Sequence, residues 1–196
     1  MPLNIPSGTK NNISFGPGRM FLGAYGTGYS ATGITPTTDV GFISEDGISL
    51  EITSEKKDIV QGNPKLVEYS FTQAHGVMAT VTSIEWNMTK MAWALGGQAG
   101  TTSGTAPAGG DVFKFGGDPI NIELACRIEH QMAITGDTMN IDIWRCMGES
   151  GFSIALGADE HSFEFKFKAM RATKSWTGTD LPSYAQLIQF KRVQYP

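Results

Sequence analysis

The chain has little of what catalytic or metal chemistry is built from. Its 196 residues include three histidines and two cysteines. His75, His130 and His161 stand alone, without the H-x-H or H-x-x-x-H spacing that brings two imidazoles to one metal ion. Cys126 and Cys146 make neither a disulfide framework nor a metal motif, and one cysteine near one histidine is no zinc site. No G-x-S-x-G elbow occurs, and no nucleophile sits beside a base as a hydrolase or transferase requires. Gly26-Thr27-Gly28-Tyr29-Ser30-Ala31 fits the loose G-x-G-x-x-A pattern. Gly33 and Pro36 follow at once, though, and no apolar helical period does, so the pattern reads as a flexible loop rather than a dinucleotide site. No cofactor and no catalytic residue is expected.

Charge is also scarce. Lys and Arg number 15 against 19 Asp and Glu, a formal net charge of -4, which gives no general attraction to nucleic acid or an anionic membrane. No apolar run approaches the roughly 20 residues that span a bilayer. The opening MPLNIPSGTKNNISFGPG lacks a basic region followed by an apolar one, so no signal peptide or membrane anchor is expected. In that setting the sequons at Asn12 and Asn87 are chance matches, and the cysteines stay reduced. Cys126 alternates with Ile122, Leu124 and Ile128 and reads as a small core hydrophobe.

What the chain does have is glycine, 24 residues of it, with 9 prolines and 40% hydrophobic residues. That profile suits a single turn-rich β domain over residues 1–196. Ile48, Leu50 and Ile52 alternate with Ser49, Glu51 and Thr53, and Phe163, Phe165 and Phe167 alternate with Glu164, Lys166 and Lys168. Strict alternation marks strands with one wet face. Further strands are expected at Arg19–Leu22, Lys65–Thr72, Val77–Thr82, Asp111–Phe115, Thr138–Cys146 and Tyr184–Val193. Turns are expected at Asp46-Gly47, His75-Gly76, Gly116-Gly117 and Gly136-Asp137. Short spacing and frequent turns point to a mainly β sandwich or barrel.

One flanking α-helix is expected at about Ser83–Leu95. Thr82 and Glu85 have the spacing of a capping box, and Gly96 is a natural stop. Ile84, Met88, Met91, Ala92 and Leu95 form one stripe. Trp86 and Trp93, seven apart, fall nearly opposite it, which suggests a second apolar face covered by a neighbouring subunit. Long loops are expected at 53–66, with the mixed cluster Glu55-Lys56-Lys57-Asp58 and the breakers Gly62, Asn63 and Pro64, and at 96–110, a Gly/Ser/Thr/Ala-rich stretch.

The order of these features from Asp39 to Gly97, together with FGPGRMFLG near the N-terminus, resembles the major tail tube proteins of long-tailed, siphophage-type bacteriophages. The likeness extends more distantly to the tube proteins of type VI secretion systems. It implies a β-sandwich with a flanking helix, six copies to a ring, and rings stacked into a hollow tube that delivers DNA. It further implies synthesis in the bacterial cytoplasm, a final place in the virion tail, and tail tip, tape measure and tail terminator proteins as partners. The 53–66 loop, with Glu55, Lys56, Lys57, Asp58 and Asn63, would then reach the next ring. DNA in transit must not be held by the wall, so an acidic or neutral lining is expected. Ser49, Glu51, Thr53, Asn140 and Asp142 offer one, while Ile48, Leu50, Ile52, Ile141 and Ile143 behind them form the core. Two rival classes are a carbohydrate-binding β-sandwich module, with Tyr25, Tyr29 and Trp176 as loop aromatics, and a β-barrel enzyme.

Overall fold

Cross-strand pairs of apolar residues build most of the molecule. The computed structural model describes residues 18–25, 36–62, 64–96, 98–102, 110–116, 122–132, 136–149, 151 and 161–194. They fold as a mainly β protein with one α-helix among the described residues. In chain order the strands are β1 (Gly18–Ala24), β2 (Thr38–Asp39), β3 (Ile43–Gln61) and β4 (Leu66–Ser83), then helix α1 (Met88–Leu95). There follow β5 (Gln98–Thr102), β6 (Gly110–Lys114), β7 (Glu123–Gln131), β8 (Thr138–Gly148), β9 (Phe163–Ala169) and β10 (Ile188–Val193). The main sheet is antiparallel, in the order β2-β1-β7-β8-β9-β4-β3, with β10 also on β8; β5 and β6 pair separately.

The sheet curls around one core. Met20 lies opposite Ile128, Leu22 opposite Cys126, Val81 opposite Phe165, and Ala79 opposite Phe167, all turned inward. Phe163, Phe165 and Phe167 are fully buried, and each such ring contributes about 1.5–3 kcal/mol. A Cβ at Gly18, at the start of β1, would meet Ile48 of β3 at van der Waals distance, so the two ends of the sheet meet across the core. Cys126 and Cys146 are both buried free thiols, as alternation predicts for Cys126. A bulge in the β7–β8 ladder places three steps of β8, Ile143 to Cys146, against two of β7. It turns Cys146 inward and Trp144 outward.

Five expectations are corrected. The 53–66 stretch is a hairpin rather than a loop, because β3 and β4 stay paired from Ile48/Val81 out to Gln61/Leu66. Register shifts at Glu55/Lys56 and Ile59/Val60 absorb the extra residues Gln73 and Glu68, and Gly62 turns the chain at φ +96. His75-Gly76 is no turn either; both residues sit within β4. The helix begins at Met88 rather than Ser83, since Thr82 and Ser83 are held in the β4–β9 ladder and cannot cap it. Asn87 caps it instead, its Oδ1 accepting from the Thr89 and Lys90 amides at 3.1 Å each. Part of the 96–110 stretch is strand, with Gln98–Thr102 paired to Gly110–Lys114. At the C-terminal end, strand occupies only Ile188–Val193, after a 3-10 turn at Ser183–Ala185.

A second, smaller cluster packs on the outer face of β7 and β8. The excursion between β9 and β10 brings Trp176 onto Trp144, edge to face at 5.2 Å, with Tyr25, Ala125 and Ala172 around them. The Trp176 Nε1–H donates to the Trp144 carbonyl, and the Trp144 Nε1–H donates to the Ala185 carbonyl, both at 3.0 Å. Each indole therefore has its partner, as burial requires.

Candidate assembly surfaces

The outer half of the β3–β4 hairpin is an arm. Every described residue from 51 to 75 is exposed, whereas Val77, Ala79, Val81 and Ser83 farther along β4 are buried. Eleven residues of strand, Glu51 to Gln61, reach about 35 Å at the usual rise per residue. Pairing sets the faces of this arm. Lys57 and Ile59 share one with Phe71 and Tyr69, while Lys56 and Asp58 share the other with Thr72 and Ser70. The bulge at Glu68 turns Val67 to the other face with Val60 and brings Leu66, opposite Gln61, onto the face of Tyr69 and Phe71. The Tyr69 and Phe71 rings stack at 6.3 Å, yet Ile59, Leu66 and Tyr69 are each more than half exposed. An apolar face of this size on a two-stranded ribbon has nothing to pack on within the described residues. Isolated ribbons of this kind are marginally stable in water.

Glu55, Lys56, Lys57 and Asp58, expected in a stacking loop, lie on this arm as strand residues; Asn63 is outside the described residues. The alternation of Tyr69 and Phe71 with Ser70 and Thr72 carried the signal for an apolar arm face. The charged run opposite it concealed the pairing.

The expected channel residues separate into two groups. Ser49, Glu51 and Thr53 are exposed on the outward face of β3, as alternation predicts, though Ile52 behind them is 55% exposed and belongs to the arm rather than the core. The neighbouring strands bring Thr80 and Lys166 level with Ser49, and Met78 and Lys168 level with Glu51. That face is mixed in charge rather than acidic, because Lys166 and Lys168 share it, paired to Glu164 and Glu149. Asp142 is different. It is buried on the outer face of β8 under the Trp176 excursion, where Arg127 Nε donates to its Oδ1 at 2.7 Å. The hydrogen bond to Asp142 raises the Arg127 pKa, although burial opposes it. The Arg127 guanidinium also lies 5.0 Å from the Trp176 ring centre. Asp142 therefore cannot line a channel without unstacking the molecule's own cover. Asn140 is half-buried beside it, with Oδ1 out of contact with any donor.

The tryptophan pair is likewise corrected. Trp86 precedes α1, so it shares no helical stripe with Trp93. Trp93 is half-buried against the main core, because α1 packs between the β5–β6 pair and β8. Trp86 rests edge to face on Phe163 at 4.8 Å and stays 46% exposed, which leaves it the one of the two able to meet a neighbour. On α1, sequence periodicity missed Lys90. Its side chain is buried, and Nζ donates to the Val40 carbonyl at 2.6 Å and lies 3.5 Å from Glu85, tying the helix to the β2–β3 connection.

Of the loop aromatics considered for sugar binding, Tyr25 and Trp176 are buried in the smaller cluster and present no platform. Tyr29, the rest of the Gly26–Ala31 pattern and Asn12 lie outside the described residues. Among the described residues no three His, Cys, Asp or Glu side chains converge as a metal site, and no helix is long and apolar enough to cross a membrane. No protein-family model matches the chain, and no curated protein matches it in sequence.

Proposed function

We propose that this chain is a structural subunit that assembles into stacked, six-membered rings, forming the hollow tail tube of a bacteriophage through which the genome passes. The observation that carries this reading is the arm. Its ladder runs on through two bulges, one face carries Ile59, Tyr69 and Phe71, and no described residue of the same molecule covers them. Residues that fold into a long exposed ribbon, with aromatic side chains aligned along it, are explained by a neighbouring copy rather than by a monomer. The resemblance of FGPGRMFLG and of Asp39 to Gly97 to tail tube proteins supplies the kind of assembly, with synthesis in the host cytoplasm and the virion as destination. Tail tip, tape measure and terminator proteins would cap and fill the tube, and DNA would pass without being specifically bound.

Joining Ile52 to Val77 by a two-residue turn tests the reading. These residues lie opposite each other, so the body keeps its register when the arm is removed. The intact chain should give rings or tubes of uniform width by negative-stain microscopy. The armless chain should sediment as a folded monomer with unchanged β-sheet circular dichroism. Tubes assembled without the arm, or an intact chain that remains monomeric at high concentration, would refute it.

A further inference from the structure

The main sheet forks. On the side of β8 away from β7, β10 pairs along Thr138–Ile143 and β9 along Cys146–Gly148. β10 thus takes over the line of β9 after the chain has left the sheet and returned. β4, however, pairs with β9 only from Met78 to Ser83. From Leu66 to Val77 that edge of β4 has no strand beside it among the described residues, and neither has the edge of β10 turned towards it. The arm swings away from β10 and leaves a slot between two strand edges. At its crotch is a cavity of about 440 Å³ with Ile52, Val77, Leu187 and Ile188 in its lining. Phe190, farther along β10, is 51% exposed.

Open strand edges present unpaired N–H and C=O groups and are usually covered or blunted. β3 has a third such edge, with no strand beside it along Glu51–Gln61 on the side away from β4 among the described residues. Because β4 lies between that edge and the slot, a molecule cannot fill its own slot with it. A second copy can. We propose that the slot receives the arm of a second copy, the outer edge of its β3 adding as a strand to β10. This rests on the assembly reading above and names the surface that accepts the arm.

Three features select this occupant. The arm is extended and long enough to enter, and backbone pairing needs no particular sequence. Glu51, Glu55 and Asp58 outnumber Lys56 and Lys57 on this stretch of β3, which meets a border that carries Arg171 and Lys191. Finally, arm and slot are different surfaces, so each copy gives one and receives one. Such head-to-tail contacts propagate into rings or filaments without exhausting either surface.

Cross-linking tests the pairing. Glu55→Cys and Lys191→Cys are made in separate copies, mixed under assembly conditions and treated with a short bifunctional maleimide; the native Cys126 and Cys146 are buried and do not compete. The mixture should give a cross-linked dimer at about tenfold the yield seen when Lys114→Cys replaces Lys191→Cys, since held proximity raises effective concentration. Lys114 is exposed on β6, away from the slot. In addition, Phe190→Pro and Lys191→Pro remove adjacent amides of β10, one turned to β8 and the other into the slot. The variant that keeps the fold should lose assembly. Rings or tubes that form with no Glu55–Lys191 cross-link above the control would overturn the slot while leaving the assembly reading intact. A chain that stays monomeric would overturn both.

Discussion

The two halves of the β3–β4 hairpin share one ladder and differ in everything else. In the inner half, Ile48 and Leu50 lie opposite Val81 and Ala79, with β9 on the far side of β4 and the Phe163, Phe165 and Phe167 rings beneath. In the outer half the ladder continues, with two bulges, but among the described residues no third strand and no second layer join it. Backbone pairing is therefore not what separates body from arm. The separation comes from what lies against the side chains: the inner half derives its stability from burial within the chain, and the outer half must obtain it from outside.

The largest expected effect breaks the hairpin at its inner half. Phe165→Ala should cost about 3–5 kcal/mol, since it removes a fully buried ring and leaves a cavity among close-packed neighbours. Tyr69→Ala, an equally drastic truncation on the arm, should change monomer stability by no more than about 0.5 kcal/mol. Denaturant unfolding of dilute protein measures both. A Tyr69→Ala loss as large as that of Phe165→Ala would mean that the arm packs on its own body. In the assembled form the order should shift, with Tyr69→Ala weakening association.

Next in size is a contrast between two carboxylates that alternation alone treats alike. Asp142→Ala should cost about 3 kcal/mol because it strands the Arg127 guanidinium beneath Trp176. Glu51→Lys should alter monomer stability by about 0.5 kcal/mol or less, as an exposed surface substitution. Urea midpoints at neutral pH separate the two, and equal losses would show that Glu51 belongs to the body.

Sequence reading succeeded where alternation met a packed partner. Phe163, Phe165 and Phe167 are inward as expected, Cys126 is a core hydrophobe, and the strands at Arg19–Leu22 and Thr138–Cys146 form with small extensions. It failed where a nonlocal contact decided. Thr82 and Glu85 have capping spacing, but β9 claims Thr82 and Ser83 for the ladder, so the helix waits for Asn87. Asp142 alternates like a wet residue, yet a loop about 30 residues later folds over it. The arm was hidden because Glu55-Lys56-Lys57-Asp58 reads as a solvated loop, whereas solvent and strand are compatible on a ribbon exposed on both faces. Nothing local announced that Lys90 would reach the Val40 carbonyl.

A smaller effect sharpens the description of the body. Gly148 on β8 lies against the backbone of α1, and a Cβ there would collide with the Ala94 carbonyl. Gly148→Ala should force the helix outward and cost about 1–3 kcal/mol, the range of overpacked sites. Gly110, on the exposed edge of β6, has open space at the same test, so Gly110→Ala should be nearly silent. Thermal unfolding of the two variants makes the measurement, and a silent Gly148→Ala would show that α1 is loosely seated.

The smallest effect appears only in acid, and it too should belong to the body alone. Asp39 closes the β1–β2 edge: Arg19 donates to Oδ2 at 2.5 and 3.2 Å, and the Gly41 amide donates to Oδ1 at 2.9 Å. Burial pushes this carboxyl up, but the Gly41 amide and Arg19 outweigh burial and hold its pKa below the ordinary 3.8. The folded state thus favours the ionised form, and the unfolded chain takes up the proton first. The resulting stability is complete above pH 3.8, declines as the pH falls below it, and is gone once the pH passes the lowered folded value. With Arg19 and Asp39 side chains 67% and 35% exposed, solvent screening keeps the contribution small. Asp39→Asn should therefore lower the urea midpoint slightly at neutral pH and converge with the unaltered protein in acid. Removing the arm should leave that acid limb unchanged, since Asp39 lies on the far edge of the sheet from β3 in strand order. A gap between the Asp39→Asn and unaltered curves that stays constant from neutral to strongly acid pH would show that the carboxylate's charge contributes nothing at this edge. An acid limb that vanished with the arm would tie its ionisable groups to the stability of the body and erase the division between the two halves of the hairpin.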